Sequence, residues 1–215
     1  MVYNLSDSNS ILGNYLSELR DVQIQKDPMR FRANLERIAE IMAFEISKKL
    51  KYKTIETETP LGIASCNVLE EQPILITILR AGLAMHTGFL RYFDRAESAY
   101  VSAYRKHTTP EEFEIFVEYM AAPLLDNRVW IISDPMLATG NSMNTVFDAL
   151  KRNGMPKRIY IAAAIATQEA IERVQKHFPG NTEIFVAAID KELTAQSYIV
   201  PGLGDAGDLA FGEKV

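Results

Sequence analysis

VWIISDPMLATGNS, at residues 129–142, joins an apolar β-prone run to an acidic residue, then to small and hydroxyl residues and the start of a helix. Residues 129–132 carry no charge, as in a strand buried on both faces of a parallel sheet. Four apolar residues then recur at the spacing of one helix face: Met143, Val146, Phe147 and Leu150. Ser142 is a candidate cap for this helix, and Asn153-Gly154 is expected to end it. The order of strand, loop and helix predicts one βα unit of an α/β protein.

Residues 138–142, the phosphate loop, form a candidate anion site at the start of this helix. Their backbone N–H groups and two hydroxyls can turn toward a phosphate at the positive end of the helix dipole. Asp134 ends the strand at the edge where open α/β sheets bind ligands, placed to face a ribose or a metal ion. No Gly-x-x-x-x-Gly-Lys-Ser/Thr and no Gly-x-Gly-x-x-Gly after a strand is found, which argues against a P-loop nucleotidase and a dinucleotide-binding protein. An ordinary βα turn stays open as the alternative.

Length and composition favour one domain over residues 1–215, with a helical N-terminal segment over about residues 1–50. A chain of 215 residues is long enough for one well-buried domain and short for two. The net charge of −5 argues against a nucleic-acid partner, because such binding normally shows as a basic face. A single cysteine and three scattered histidines offer neither a disulfide nor a zinc cluster. Without a signal-peptide pattern or an apolar run of membrane-spanning length, we expect no membrane partner and a cytoplasmic location.

The rest of the chain alternates strands with helices. Asp27-Pro28 predicts a helix start, followed by an apolar stripe expected in the core or a subunit interface: Phe31, Leu35, Ile38, Met42, Ile46 and Leu50. Pro60-Leu61-Gly62 predicts a turn between short strands. Further strands are expected at 74–79, 99–103, 159–165 and 184–189, with helices at 84–93 and from Thr167. This alternation predicts a parallel sheet with helices on both faces. Residues 114–120 alternate like a strand of an inserted hairpin.

Three further features carry candidate chemistry. Arg80 follows a strand, and its planar guanidinium suits a pair of phosphate oxygens, although a surface ion pair is an equally common role. Arg105-Lys106-His107 lies at the mouth of the inserted hairpin, where a basic loop can close over a polyphosphate; a solvated charge cluster is the alternative. Residues 198–208, the glycine-rich loop, expose backbone groups that can read a flat base such as uracil. That loop is too rich in glycine to predict a helix or a central strand.

These residues together resemble the uracil phosphoribosyltransferase family, from about residue 28 to the C-terminus. The motifs occur in the family's order: Ile78-Leu79-Arg80-Ala81-Gly82-Leu83, Tyr104-Arg105, Asp134-Pro135-Met136-Leu137-Ala138-Thr139-Gly140, Ala188-Ile189-Asp190 and residues 198–208. The last motif is specific to this family among phosphoribosyltransferases. The resemblance implies a type I phosphoribosyltransferase fold, in which terminal segments form a small hood over the sheet. It also implies a homo-oligomer, a dimer or larger.

The resemblance further implies the reaction and the roles of the residues. Uracil and 5-phosphoribosyl 1-diphosphate (PRPP) would give UMP and diphosphate, with Mg²⁺ held mainly by substrate phosphates and no metal motif of the protein's own. Arg80 and Arg105 would contact the diphosphate, and Asp134 the ribose hydroxyls. The whole PRPP site would comprise Arg80, Arg105, Asp134, Pro135, Met136, Leu137, Ala138, Thr139, Gly140, Asn141, Ser142 and Asp205, with Arg105 and Asp134 catalytic. Uracil would be read at Ile199, Gly204, Asp205 and Ala206, mainly through backbone groups.

The chain departs from the family at several positions. Asn141 in the phosphate loop and Ser197 before Tyr198 each stand where the family usually has glycine. Residues 167–170 replace a turn that usually contains proline and glycine. Three other functions stay open: a purine phosphoribosyltransferase, an RNA-binding regulator of pyrimidine genes with the same fold, and a non-catalytic ligand sensor. The purine enzymes usually have two adjacent acids before the phosphate loop, whereas Ser133-Asp134-Pro135 supplies one.

Overall fold

The computed structural model describes residues 1–107 and 113–214, and it leaves the side chains of residues 104–107 and 113–116 outside that description. The strands there are, in chain order, β1 (Val2–Asn4), β2 (Tyr52–Thr59), β3 (Gly62–Leu69), β4 (Ile74–Leu79), β5 (Glu97–His107), β6 (Phe113–Ala121), β7 (Val129–Ser133), β8 (Met136–Leu137), β9 (Arg158–Thr167), β10 (Thr182–Asp190), β11 (Glu192–Leu193) and β12 (Ile199–Val200). The α-helices are α1 (Leu12–Arg20), α2 (Pro28–Ser47), α3 (Leu83–Tyr92), α4 (Asn141–Leu150), α5 (Gln168–His177) and α6 (Ala206–Phe211).

The main sheet has the strand order β1-β10-β9-β7-β4-β5-β6, and β8 pairs with β9. Every pairing is parallel except that of β5 with β6, which is antiparallel. The central strands β4 and β7 adjoin, with Ile74 opposite Trp130 and Thr77 opposite Ser133. From β4 the chain adds β5 and β6 on one side, and it then returns to add β7, β9 and β10 on the other side. In open α/β sheets, ligands bind beyond the carboxyl ends of the strands at the point where the strand order reverses in this way. The predicted α/β class with a parallel sheet is confirmed.

Helices cover both faces of the sheet, and each face has its own apolar core. Helices α1, α2 and α3 pack on one face, where the predicted stripe on α2 is buried from Phe31 to Ile46. Helices α4 and α5 pack on the other, against the apolar side chains of β4, β7 and β9. Trp130 on β7 is fully buried there, and its Nε1–H donates to the Leu125 carbonyl at 3.0 Å. The stripe on α2 therefore belongs to the core.

The N-terminal segment is mostly helical, with a helix beginning at Pro28 as predicted, but it also contains one strand that was not predicted. Asp27 caps α2 by accepting from the N–H groups of Met29 and Arg30, at 2.9 and 3.3 Å. Residues 2–4, however, form β1 at the edge of the sheet, in parallel register with Ile184, Phe185 and Val186. Three residues are too few to show an alternating pattern, and their partners lie about 180 residues away in sequence.

Two other local predictions are wrong. Ser142 does not cap α4; the N-cap is Gly140, whose φ of +78° is accessible to glycine with little strain. The glycine-rich loop was expected to contain no helix, but its last three residues, 206–208, form the start of α6. Asp205 caps α6, its Oδ1 accepting from the Asp208 N–H at 3.0 Å. A capping aspartate outweighs the single glycine inside this short helix.

Antiparallel hairpins extend from the parallel sheet. Strands β2 and β3 pair around the predicted turn at Pro60-Leu61 and form a separate sheet. The predicted strand at residues 114–120 is β6, which pairs with β5 and places the backbone of Arg105 opposite Ile115. The register of this pair shifts between Ser102 and Ala103.

The small hood is built from both ends of the chain. We assign to it α1, the β11–β12 pair and α6, and the Arg20–Asp190 ion pair joins α1 to the carboxyl end of β10. Arg20 of α1 donates to the Gly202 carbonyl at 2.9 Å, and Arg32 of α2 donates to the Ala210 carbonyl at 2.6 Å. In the described ranges no helix has the length and apolar character to cross a membrane.

Candidate active site

A cavity of about 870 Å³ opens at the carboxyl ends of β4, β5 and β7. The loops after β4 and β7 form two of its walls, and the start of α6 forms a third. Ten of the sequence-predicted site residues line it: Arg80, Asp134, Met136, Leu137, Ala138, Thr139, Gly140, Ser142, Asp205 and Ala206. The convergence of strand ends at one edge of a parallel sheet brings these segments together.

The phosphate loop is held from behind by α5 and its cap. The Thr167 hydroxyl donates to the Ala138 carbonyl at 2.7 Å and also accepts from the Ala170 N–H at 3.0 Å. A Cβ added to Gly140 would lie 3.1 Å from the Ala170 carbonyl oxygen. Glycine is thus required at position 140 both for its positive φ and for space. The first turn of α4 borders the cavity through Ser142 and Met143, and the N–H groups of such a turn have no partner within the helix.

Asp134 lies on the floor of the cavity. Its backbone N–H donates to the Ala162 carbonyl at 3.1 Å, which fixes it beside β9. The pKa of its carboxyl is raised to about 7, chiefly because the group is removed from water and to a smaller extent because of the negative charge of Asp205, while a hydrogen bond from the Met136 N–H opposes the shift. Ionised Asp134 is therefore stabilised by a ligand that donates hydrogen bonds to it or brings positive charge near both carboxylates.

The loop after β4 brings Arg80 to the opposite wall. Its Nη2 lies 2.9 Å from Oδ1 of Asp208 on α6. Gly82 lets the loop turn close against the sheet, because a Cβ there would lie 2.5 Å from Thr77 Oγ1, 2.8 Å from the Ile78 carbonyl and 2.9 Å from the Ser133 carbonyl. The Leu79–Arg80 peptide bond is cis. The guanidinium is thus presented to the cavity by a backbone packed on two strands.

The glycine-rich loop crosses beside the cavity with two left-handed turns, at Gly202 (φ 62°) and Gly204 (φ 90°). Asp190, at the end of β10, accepts from the Gly202 N–H at 3.0 Å. Arg20 binds Asp190 through both terminal nitrogens, at 2.7 and 2.8 Å. Asp190 belongs to the motif Ala188-Ile189-Asp190 but had no predicted role, and Arg20 was not predicted at all. Arg20 carries no local signal, since its partner is 170 residues away.

Five predicted site residues are not found in the cavity lining: four lie outside it, and the side chain of the fifth is not among the described residues. Pro135, Asn141, Ile199 and Gly204 do not line the cavity. Asn141 instead turns its side-chain oxygen toward Arg173 of α5. The side chain of Arg105 lies outside the described residues, so the structure leaves that prediction as it stood.

Several lining residues had no predicted role. Glu118 of β6 and the C-terminal pair Glu213 and Lys214 border the cavity, as do Ser197 and Tyr198. Ser197 has a φ of +64°, a left-handed conformation uncommon for serine. The alternation in residues 114–120 predicts that Glu118 lies on the face of β6 opposite to Val117. Its position beside the cavity becomes clear only from the order of strands in the sheet.

Two known proteins are similar to this chain over its full length. The sequence model of the uracil phosphoribosyltransferase family matches residues 6–213. A uracil phosphoribosyltransferase of Porphyromonas gingivalis is 52% identical over 214 residues, covering 100% of this chain and 99% of that protein. The Pyrococcus furiosus uracil phosphoribosyltransferase is 38% identical, covering 100% and 91%.

Solved structures are similar in fold. The AQ2163 protein from Aquifex aeolicus superposes with a TM-score of 0.88 at 28% identity, over 100% of both chains. A hypoxanthine phosphoribosyltransferase from Staphylococcus aureus superposes with a TM-score of 0.51 at 10% identity, over 75% of this chain and 76% of that one. The second likeness concerns the fold alone.

Proposed function

Because the chain belongs to the uracil phosphoribosyltransferase family, we propose that it transfers the 5-phosphoribosyl group of PRPP to uracil, giving UMP and diphosphate. The observation that carries the proposal is the single cavity that the phosphate loop, Asp134, Arg80 and the start of α6 line together. In this reaction the C1′–O bond to diphosphate breaks and a C1′–N1 bond to uracil forms, with loss of the N1 proton. The chain is a pentosyl transferase acting in pyrimidine salvage.

The phosphate loop binds the 5′-phosphate in this proposal. The first turn of α4 offers backbone N–H groups that have no partner within the helix, and the hydroxyls of Thr139 and Ser142 border the same space. The Thr167 hydrogen bond to Ala138 holds the loop in place before the ligand arrives. Binding at this end places the ribose over Asp134.

Asp134 binds the ribose hydroxyls and stabilises the transition state. Breaking the anomeric bond builds positive charge on the ribose, and a carboxylate below the ring offsets that charge without forming a covalent bond. Hydroxyl donors from the ribose favour the ionised carboxylate, because they replace the water lost by burial. Binding of PRPP should therefore lower the raised pKa of Asp134.

Arg80 and Arg105 bind the departing diphosphate in this proposal. Arg80 already lies at the cavity wall, held by Asp208 at 2.9 Å, and a guanidinium binds two phosphate oxygens at once. Replacing Arg105 with alanine is expected to lower turnover more than tenfold with little loss of stability. Arg91→Ala is the matched control, because Arg91 pairs with Glu36 and Glu40 on the surface and lies outside the cavity. Equal losses of turnover and stability in Arg105→Ala would contradict the role.

Mg²⁺ is part of the proposal, and the donors present fit it. Asp134 and Asp205 provide carboxylate oxygen in one cavity, and their mutual repulsion favours a cation near them. Among the described residues no cluster of three or more His, Cys, Asp or Glu could hold a metal ion. Mg²⁺ commonly keeps its waters and binds substrate phosphates, so Asp205 would hold it through water. The ion would neutralise charge on the diphosphate.

Uracil is read by the glycine-rich loop in this proposal. Left-handed turns at Gly202 and Gly204 leave backbone groups outside regular structure, and Asp205 and Ala206 border the cavity. Ala206 borders the cavity, and its backbone groups, together with those of Ile199 and Gly204 just outside the cavity lining, would match the amide edges of the base. A bulky residue at Gly204 should block uracil binding and leave PRPP binding measurable. Loss of both ligands would count against backbone reading of the base.

The reaction is tested with purified protein, labelled uracil, PRPP and Mg²⁺. We expect labelled UMP, and none when either PRPP or Mg²⁺ is left out. Nucleotide from hypoxanthine or guanine without UMP from uracil would make the chain a purine enzyme instead. Specific binding of pyrimidine-gene RNA without turnover would make it a regulator.

We also infer a homo-oligomer. The β2–β3 hairpin stands apart from the main sheet, and both of its strands are largely exposed. Leu61 and Ile63 at its tip are 99% and 74% exposed, and an isolated two-stranded hairpin is marginally stable in water. Light scattering should give a dimer or larger, and Leu61→Asp with Ile63→Asp should shift it toward monomer. Leu124→Asp, at an equally exposed apolar residue elsewhere, is the control.

A cytoplasmic location completes the proposal. It rests on the single cysteine, which gives the chain no internal disulfide and suits a reducing compartment. Fractionation of the source cells, with the chain detected by antibody, is the direct test.

A further inference from the structure

Arg20 joins the N-terminal helix to the glycine-rich loop through three hydrogen bonds. Its Nη1 donates to Oδ2 of Asp190 at 2.8 Å and to the Gly202 carbonyl at 2.9 Å. Its Nη2 donates to Oδ1 of Asp190 at 2.7 Å. Because Asp190 Oδ2 also accepts from the Gly202 N–H, both backbone polar groups of Gly202 are bound within one closed network. The guanidinium therefore acts on the backbone of the loop and does not enter the cavity.

The network lies where the loop turns most sharply. Gly202 has a φ of +62°, and a Cβ there would collide with the Ile199 carbonyl. Asp190 is only 6% exposed, so its charge depends on Arg20 for compensation. Charge-assisted hydrogen bonds with a bidentate fork fix direction as well as distance. The path of the chain from β12 to Asp205 is thus set by a residue outside the loop.

A second contact from the same segment supports this geometry. Gln25 places Oε1 3.7 Å from the position that a Cβ on Gly204 would take, and its Nε2 donates to the Leu19 carbonyl at 2.9 Å. The N-terminal segment therefore contacts the loop at Gly202 and again beside Gly204. These two glycines flank the backbone that turns toward Asp205.

We propose that Arg20 is a positioning residue for base recognition: with Asp190 it holds Gly202 so that the glycine-rich loop presents its backbone to the base. The proposal rests on the proposed function, since it assigns the base to this loop. The phosphate loop, Asp134 and Arg80 are attached to other strands, and Asp205 has its own anchor in the bond from the Asp208 N–H at 3.0 Å, so PRPP binding should depend on Arg20 far less than uracil binding does. The network predicts a large effect on one substrate and a small effect on the other.

The kinetic test compares Arg20→Gln, Arg20→Lys and a matched control. Arg20→Gln should raise the KM for uracil at least tenfold and change the KM for PRPP less than threefold. Lysine keeps the charge opposite Asp190 but lacks the planar fork that also reaches Gly202. Compared with Arg20→Gln, Arg20→Lys should therefore restore most of the stability but leave the KM for uracil raised. Arg30→Gln breaks another bidentate pair, between Arg30 of α2 and Glu18 of α1 at 2.6 and 2.7 Å, and should leave both KM values unchanged. A parallel rise of both KM values in Arg20→Gln, or no rise in either, would overturn the proposal.

Hydrogen exchange without ligands separates this proposal from the proposed function. The amides of residues 199, 200 and 202–205 should exchange at least tenfold faster in Arg20→Gln than in the unmodified chain, while those of β7 keep their rates. A chain that makes no UMP would overturn the proposed function and leave this comparison intact. Unchanged exchange in the loop would overturn the role of Arg20 even if UMP is formed.

Discussion

The side-chain oxygen of Asn141 accepts a hydrogen bond from Nη1 of Arg173 at 2.7 Å, which joins the first residue of α4 to α5 on the side away from the cavity. Arg173 is held in turn by Glu169, four residues earlier on α5, at 2.8 Å. The left-handed position of the phosphate loop is Gly140 and not Asn141. The asparagine that replaces a usual glycine of the family therefore leaves the phosphate cradle intact and adds a contact between two helices.

Replacing Asn141 with glycine should affect stability more than substrate binding. The change removes the bond to Arg173 and places glycine in a helix, so we expect the free energy of unfolding to fall by about 1 kcal/mol. The KM for PRPP should change less than threefold, because the side chain does not line the cavity. Urea denaturation and initial-rate kinetics measure the two effects.

Gly140→Ala is the contrasting variant. Alanine would have to adopt a φ of +78° with its Cβ 3.1 Å from the Ala170 carbonyl oxygen, so the loop should shift and the KM for PRPP should rise more than tenfold. A rise in KM as large in Asn141→Gly would show that Asn141 contributes to the phosphate site directly.

The raised pKa of Asp134 predicts a pH-dependent stability of the ligand-free protein. An acid whose folded pKa is about 7, above its ordinary 3.8, binds more protons in the folded state than in the unfolded state between those values. Its stabilising contribution is complete below pH 3.8 and is lost as pH rises to about 7. Asp134→Asn cannot ionise, so its stability relative to the unmodified chain should be about 1–3 kcal/mol more favourable at pH 8 than at pH 5.

Urea titrations of both proteins at the two pH values provide this difference, in which the other titrating groups cancel. The same variant should lose most of its turnover, because an amide does not offset positive charge on the ribose. A stability difference that is the same at pH 5 and pH 8 would mean that Asp134 is ionised in both.

The strands that build the cavity could be predicted from sequence because their signals are local. The uncharged run Ile74–Leu79 matches β4, and the run before Asp134 matches β7, since strands buried on both faces are apolar throughout. Arg80 and Asp134 are the residues immediately after the ends of these two strands. The carboxyl ends of parallel strands meet at one edge, so their approach could be predicted as well.

Features that depend on distant partners could not be predicted. Arg20 and Asp190 form an ion pair although they lie far apart in the sequence. No pattern in the residues around either one predicts that they pair. The N-cap of α4 is Gly140, whose φ of +78° and contact with the Ala170 carbonyl arise from packing that the local sequence does not show. Lys214, three residues after the end of α6, borders the cavity without any local sequence pattern that predicts it.

Ser197→Gly should stabilise the protein. Serine at a φ of +64° is strained by roughly 1 kcal/mol, which glycine avoids at this position. We expect an increase of up to about 1 kcal/mol in the free energy of unfolding, smaller than the full strain because glycine also gains freedom in the unfolded chain. Ser197→Ala keeps the Cβ and the strain, so it should show no such gain. Thermal melting of the three proteins measures this, and equal melting of the glycine and alanine variants would contradict it.

Gly82→Ala should damage both stability and diphosphate binding, because the added Cβ has no room. It would lie 2.8 and 2.9 Å from the carbonyl oxygens of Ile78 and Ser133, which belong to β4 and β7 and cannot move without distorting the sheet. Relief must come from the loop itself, which carries Arg80 two residues earlier. We expect a loss of about 1–3 kcal/mol in stability and a rise in the KM for PRPP, measured by urea denaturation and kinetics.

Gly13→Ala is the matched control for this substitution. Gly13 lies in α1 with nothing within 4 Å of an added Cβ, so alanine there should stabilise the helix by up to about 1 kcal/mol and leave the kinetics unchanged. The two substitutions add the same methyl group, and their opposite effects would locate the cause of the Gly82 defect in the contact with β4 and β7. A Gly82→Ala protein that melts like the unmodified chain but binds PRPP poorly would place the cause in the loop conformation alone. Normal melting together with normal kinetics would refute the requirement for glycine.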